Sequence, residues 1–174
     1  MTYNFGSVSE KAPAVFGVEA PGVPMKPGGV YNEAGSVPNA VVEEWAAFLK
    51  AEGVTRTICL LKAEELACYA APGYAKILEA QGITPSMVDI FQEGASDAIK
   101  AAAGAAKAAG EKVAVHCSGG EGRTGLALGA VLVSECGMTP PDAAAEVVRH
   151  SAELGTVRKV KTEKLEALLA NGHA

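Results

Sequence analysis

The sequence predicts a single α/β domain in which a central, largely parallel sheet is flanked by helices. Apolar β-type runs at 57–61 and 113–115 alternate with longer segments whose apolar residues recur at helical spacing. This alternation is typical of parallel strands joined by crossover helices. A glycine-rich loop at 116–125 directly follows the second run and precedes an apolar, helix-compatible run at 126–133. The loop is therefore expected between a central strand and a helix, at the carboxyl end of that strand.

The chain of 174 residues is predicted to be one domain, since its length is typical of a single core and it shows no internal repeat or linker. Residues 1–38, the lead-in segment, are rich in glycine and proline. They predict a loop-rich region with short strands at 14–17 and 29–31. Residues 39–174 form the predicted α/β core.

The first half of the core begins with a helix that starts at Asn39 and ends at Gly53. A buried strand at 57–61 follows, and two short helices are predicted at 64–69 and 73–80. The first helix has apolar residues at helical spacing, namely Val41, Val42, Trp45, Phe48 and Leu49.

In the second half, residues 83–90 fit neither a helical nor a strand pattern. The alanine-rich stretch 91–109 predicts a long helix, and a strand beginning at Lys112 leads into the glycine-rich loop. Thr139 starts another helix, because it is a capping residue followed by proline and, three positions on, by an acid. Thr162 starts the last helix.

The composition excludes several classes of function. The net charge is −5 without any run of like charges, so no nucleic-acid partner is expected. No segment has the length and apolarity of a membrane span, and the first residues lack the regions of a signal peptide, so no membrane is expected either. The sequence makes no prediction of oligomeric state.

Four cysteines, at 59, 68, 117 and 136, show no Cys-x-x-Cys spacing, and there are only three histidines. We therefore expect no metal, no cofactor and no disulfide framework. A reactive thiol in such a chain is suited to a reducing compartment, which predicts the cytoplasm.

The loop at 116–125, His-Cys-Ser-Gly-Gly-Glu-Gly-Arg-Thr-Gly, has the chemistry of a phosphate-binding nest. Its backbone N–H groups can turn inward, and the next helix adds the positive end of its dipole. Arg123 adds a planar fork for two phosphate oxygens. This positive field favours the thiolate of Cys117 as a nucleophile, and the Thr124 hydroxyl is expected to stabilise that thiolate. The residues expected to surround phosphate are Ser118, Gly119, Gly120, Glu121, Gly122 and Arg123.

The loop resembles the signature of the cysteine-dependent protein tyrosine and dual-specificity phosphatases, His-Cys-x-x-Gly-x-x-Arg-[Ser/Thr]. All five fixed positions are present, as His116, Cys117, Gly120, Arg123 and Thr124. The pattern of helices and strands over most of residues 40–135 is similar to that of small prokaryote-style dual-specificity members.

This resemblance implies hydrolysis of phosphate monoesters through a cysteinyl-phosphate intermediate, without metal or cofactor. The implied substrate is a phosphorylated protein, with phosphotyrosine ahead of phosphoserine and phosphothreonine, or a small phosphate ester. It also implies that His116 organises hydrogen bonds beneath the loop rather than acting as a base. Two other functions stay open: a non-catalytic phosphate-binding module, and sulfur or arsenate transfer on a similar loop.

The resemblance further implies a general acid, an aspartate roughly thirty residues before the cysteine. Asp89 lies 28 residues before Cys117 and is the preferred candidate. The segment departs from the family pattern, because it is short and lacks the usual proline after the aspartate. Glu93 and Asp97 are rivals, and two further possibilities stay open: an acid outside this segment, or no general acid at all.

Two charged features near the loop allow more than one interpretation. Glu121 disfavours highly charged substrates such as polyphosphorylated inositols, unless its side chain simply points to water. The basic residues Arg158, Lys159 and Lys161 are predicted to be a solvated helix start, with binding of an anionic substrate as the alternative.

Overall fold

A five-stranded sheet lies at the centre of the fold in the computed structural model, which describes residues 2–172. The strand order is β1-β2-β5-β3-β4, and only the β1–β2 pair is antiparallel. The predicted α/β class with a central, largely parallel sheet is thereby confirmed. The strands are β1 (Gly6–Ser7), β2 (Val15–Glu19), β3 (Val54–Cys59), β4 (Thr84–Met87) and β5 (Lys112–Cys117).

Helices cover both faces of the sheet. They are α1 (Asn39–Ala51), α2 (Ala63–Leu66), α3 (Tyr74–Ala80), α4 (Ala95–Ala108), α5 (Gly122–Cys136), α6 (Pro140–Glu153) and α7 (Thr162–Ala170). Apolar side chains of α1 and α3 form one core, and those of α4 to α7 form the other. Among the described residues, none of the helices combines the length and apolarity needed to cross a membrane.

Strand β5 contributes to both cores, because successive side chains of a strand point to opposite faces. Val113, Val115 and Cys117 belong to the core beneath α5, whereas Ala114 belongs to the core beneath α1. The five residues 113–117 are all buried. The loop that follows β5 is thus anchored at the centre of the molecule.

Most predicted elements are confirmed, and the differences have local causes. No strand forms at 29–31, where Val30 is 83% exposed and Gly29 N–H closes a turn onto the Lys26 carbonyl. The helix predicted at 91–109 begins only at Ala95, because Gly94 adopts a left-handed conformation (φ 79°) that interrupts helical geometry.

The unassigned stretch 83–90 contains β4, which pairs with β3 at the sheet edge. The strand predicted at 57–61 spans Val54–Cys59 instead, although Leu60 N–H still bonds the His116 carbonyl beyond its end. The two-residue strand β1 is an additional element.

Candidate active site

The glycine-rich loop connects β5 to α5 and is pressed against the end of β2. Gly120 has a φ of +72°, and a Cβ atom there would lie 2.6 Å from the Val18 carbonyl oxygen. Only glycine fits this approach. The Ser118 carbonyl accepts a hydrogen bond from Ala20 N–H (2.9 Å), and the Glu121 carbonyl accepts one from Lys159 N–H (3.3 Å). These contacts fix the loop on both sides.

Cys117 ends β5 and is 4% exposed. The buried hydroxyl of Thr124, in the first turn of α5, donates a hydrogen bond to its sulfur over 3.2 Å. The proximity predicted for these two side chains is confirmed. The sulfur therefore has one fixed donor that can stabilise its anionic form.

Arg123 is held in place by a carboxylate that sequence reasoning missed. Its guanidinium makes two hydrogen bonds to Glu65, at 2.7 and 2.6 Å, and a third to the Leu60 carbonyl at 3.0 Å. Among the described residues these contacts leave the Nε–H and one Nη2–H for a ligand. Burial alone would raise the pKa of Glu65, but the hydrogen bonds from Arg123 and from Lys62 N–H hold it below its ordinary value.

A sequence signal for Glu65 exists. Its side chain accepts a hydrogen bond from the backbone N–H of Lys62, three residues earlier, and so caps α2. An acid at this spacing just after a buried strand is typical of a helix start. The pairing with an arginine 58 positions later has no such local signal.

A cavity of about 530 Å³ opens above Cys117. One wall comes from the lead-in segment, where the Ser118 hydroxyl donates a hydrogen bond to the Pro24 carbonyl (2.6 Å). The predicted phosphate-binding residues line the cavity, except Gly120, which is buried against β2. The lining residues are Glu19, Val23, Met25, Lys26, Pro27, Glu65, Cys117, Ser118, Gly119, Glu121, Gly122 and Arg123.

His116 lies beneath the loop, on the opposite face of β5 from Cys117, and is fully buried. Its Nδ1 lies 3.3 Å from the Cys117 carbonyl and its Nε2 lies 2.5 Å from the Tyr74 hydroxyl. A carbonyl can only accept, so Nδ1 carries the proton and Nε2 accepts from Tyr74. Burial lowers the pKa of His116 to about 4. A neutral, hydrogen-bonding histidine fits the predicted supporting role.

We expect His116 to make the protein sensitive to acid. An unfolded histidine binds a proton near pH 6.5, whereas the folded one does so only near pH 4. Between these values the unfolded state binds more protons. The contribution of neutral His116 to the free energy of unfolding is therefore fully present above pH 6.5, and it is lost as the pH falls from 6.5 through 4. The expected loss in unfolding free energy is about 3 kcal/mol.

Denaturant unfolding between pH 4 and 7, followed by the fluorescence of Trp45, measures this loss. The same series on His116→Asn subtracts the titration of all other groups. If the free energy of unfolding depended on pH in the same way in both proteins, the low pKa of His116 would be contradicted. An NMR titration of the wild-type imidazole measures this pKa without any variant.

The three acids proposed from the sequence lie outside the cavity above Cys117. Asp89 follows β4, is exposed, and accepts hydrogen bonds from Phe91 N–H (3.0 Å) and from the Gln92 side chain (3.4 Å). Glu93 is exposed, and Asp97 on α4 forms an ion pair with Lys100 (3.7 Å).

Three other carboxylates line the cavity. Glu65 binds Arg123, and Glu121 forms an ion pair with Lys159 at 2.5 Å. Glu19, at the end of β2, is the register partner of Cys117. Burial raises the pKa of Glu19, although Lys26 opposes this shift. Burial thus favours the protonated form of Glu19.

The interpretation of the 158–161 cluster as a solvated helix start is wrong for Arg158. Its side chain is 6% exposed and donates hydrogen bonds to the Asn4 carbonyl (2.6 Å) and the Val157 carbonyl (2.9 Å). The missing side chain of Gly17 makes room for the guanidinium. Burial lowers the pKa of Arg158 to about 10, although the charges of Cys117 and Glu121 act in the opposite direction and raise it. Arg158 therefore keeps its positive charge at neutral pH.

Comparison with models of protein families and with curated proteins finds no match. Solved structures do match over nearly the whole chain. Tk-PTP in its active form is 19% identical, with a TM-score of 0.62 and coverage of 95% of both chains. Kinase-associated phosphatase, with serine in place of its catalytic cysteine, is 18% identical, with a TM-score of 0.67 over 92% of this chain and 88% of that one.

The human tyrosine phosphatase-like serine/threonine/tyrosine-interacting protein is 18% identical, with a TM-score of 0.62 over 95% of this chain and 97% of that one. At these identities the likeness concerns the fold. The protein has the fold of the cysteine-dependent protein tyrosine and dual-specificity phosphatases.

Proposed function

We propose that the protein hydrolyses phosphate monoesters through a cysteinyl-phosphate intermediate. The observation that carries this proposal is the joint presence of Cys117, bound by the Thr124 hydroxyl, and Arg123, fixed by Glu65, in the wall of one cavity. A nucleophile and an oriented cation thus face the same space. We expect backbone N–H groups of the glycine-rich loop to complete a preorganised site for the developing negative charge.

In the proposed first step, the Cys117 thiolate attacks phosphorus while the bond to the leaving oxygen breaks. Arg123 and the loop bind the three equatorial oxygens, and an acid protonates the leaving oxygen. In the second step, water attacks the phosphoryl group and passes a proton to that carboxylate. The S–P bond breaks, and the hydrogen bond from Thr124 stabilises the returning thiolate.

Asp89 remains the proposed acid because of its place in the chain. The next two residues, Ile90 and Phe91, line a cavity that Arg123 also lines, so the turn that carries Asp89 and the arginine face a common space. In the structure the carboxylate is engaged by its own turn and has to rotate toward the leaving group. Glu19 is the rival from within the cavity.

The proposed substrates are phosphorylated proteins, with phosphotyrosine ahead of phosphoserine and phosphothreonine, and small phosphate esters. Cys117 lines its cavity but is only 4% exposed, and a recessed sulfur favours the long side chain of phosphotyrosine. A reducing compartment such as the cytoplasm suits the four free cysteines, since a thiolate nucleophile has to stay reduced.

Hydrolysis of para-nitrophenyl phosphate against pH, with no metal added, tests the reaction and its acid. We expect a bell-shaped profile for the wild type. Asp89→Asn should lose the basic limb and lower kcat by about a hundredfold, the lower range for removal of a general acid. Glu19→Gln should keep the basic limb.

The opposite pattern, with the limb lost only in Glu19→Gln, would assign the acid to Glu19. Phosphate binding by a wild type without turnover would mean a recognition module. Turnover of thiosulfate or arsenate alone would mean a transferase.

A further inference from the structure

A second cavity, of about 580 Å³, lies between the turn that follows Asp89, the start of α5 and helix α7. We call it the lysine cavity, because three lysines line it. Its apolar surface comes from Ile90, Phe91, Leu126 and Leu168. The volume is that of a site for a small organic group.

The charge of the lysine cavity is opposite to that of the whole protein. Arg123, Lys159, Lys161 and Lys164 line it, and within residues 2–172 no carboxylate side chain does, although the chain carries a net charge of −5. Two of these cations are partly neutralised, because Arg123 pairs with Glu65 at 2.6 Å and Lys159 pairs with Glu121 at 2.5 Å. Lys161 and Lys164 form no ion pair within residues 2–172. Such a local excess of one sign attracts ligands of the opposite sign.

Phe91 gives the cavity an aromatic surface. The residue is 66% exposed, so its ring is accessible to a ligand. The Lys62 ammonium lies 4.6 Å from the ring centroid, which orients the ring by a cation–π contact. An exposed ring whose orientation is fixed by such a contact can stack against an apolar or aryl group of a ligand.

The lysine cavity adjoins the site above Cys117, because Gly122 and Arg123 line both. A phosphate ester bound at Cys117 therefore lies next to the lysine cavity. The first cavity is lined by Glu19, Glu65 and Glu121 beside Lys26 and Arg123, so it lacks the excess of positive charge found in the lysine cavity. A second negative group of the ester is therefore attracted to the lysine cavity.

We infer that the lysine cavity binds a second acidic group of the substrate, carried on the same apolar or aryl body as the phosphate that reacts with Cys117. The substrate class is thus a phosphate monoester with an additional carboxylate or phosphate. An acidic residue beside a phosphotyrosine in a peptide has this chemistry, and so does a small carboxylated aryl phosphate. This inference rests on the proposed function and names its preferred substrates.

The test measures a selectivity ratio. One peptide pair carries phosphotyrosine flanked by Glu or by Gln, and one small pair is 4-carboxyphenyl phosphate and its uncharged amide. The wild type should show kcat/KM about fivefold higher for the acidic member of at least one pair, since exposed charge pairs contribute modestly. The ratio should fall as salt rises.

The double variant Lys161→Gln/Lys164→Gln should bring the ratio to one. Lys50→Gln/Lys76→Gln removes two exposed lysines from α1 and α3, on the other face of the sheet, and should keep the wild-type ratio. The pair that responds identifies the source of the acidic group.

A wild-type ratio of one in both pairs, with measurable turnover, would overturn the inference and leave the phosphatase proposal standing. An unchanged ratio in the Lys161→Gln/Lys164→Gln variant would also overturn it. Absence of turnover for all four substrates and for para-nitrophenyl phosphate would instead reject the proposed function.

Discussion

Cys117→Ser is expected to lower turnover of para-nitrophenyl phosphate by a thousandfold or more, an order of magnitude consistent with removal of a nucleophile. A serine hydroxyl at this position is not ionised at neutral pH and is a weak nucleophile without a base beside it. Phosphate affinity should change by less than about threefold, because the loop N–H groups and Arg123 stay in place. Calorimetric titration with inorganic phosphate measures the second quantity.

Cys136→Ser is the matched control, since Cys136 ends α5 away from the loop and should keep wild-type turnover. Cys59 is a poor substitute nucleophile, because burial raises its pKa to about 12 and keeps the thiol protonated at neutral pH. Wild-type turnover by Cys117→Ser would rule out the cysteinyl-phosphate mechanism.

The sequence predicts the loop well because the information is local. The residues from His116 to Thr124 are consecutive, and the strand before them and the helix after them determine where the backbone points. The Thr124–Cys117 contact then follows from the first turn of α5. Helix caps are equally local and can be predicted. One example is Thr139, whose hydroxyl accepts a hydrogen bond from Asp142 N–H.

The parts of the site that the sequence does not predict depend on distant segments. Glu65 reaches Arg123 only because β3 lies next to β5 in the sheet. Arg158 is buried only because Gly17 on β2 leaves space for it. Helical and strand periodicity carries no information on such pairings. The direction of the Asp89 carboxylate is also set by its own turn, because Phe91 N–H donates a hydrogen bond to one of its oxygens.

Arg123→Ala is expected to abolish both phosphate binding and turnover, in contrast to Cys117→Ser. An arginine that stabilises transferring phosphoryl groups contributes about 10³ to 10⁵ in rate. Arg123→Lys should recover only a small part, because an ammonium keeps the charge but lacks the planar fork that fits both Glu65 and phosphate. Turnover and calorimetric titration with phosphate measure both losses.

Glu65→Gln separates the position of Arg123 from its charge. The guanidinium remains, but it loses a buried carboxylate partner, and breaking such a pair costs about 3 to 5 kcal/mol when the remaining charge stays buried. The arginine is expected to turn toward the cavity and the solvent, so kcat should fall by about ten- to a hundredfold while phosphate binding weakens less. Thermal unfolding in the presence and absence of phosphate distinguishes this outcome from loss of the fold. If Glu65→Gln kept the wild-type kcat, the ion pair would serve stability alone, and the orientation of Arg123 would depend on its bond to the Leu60 carbonyl.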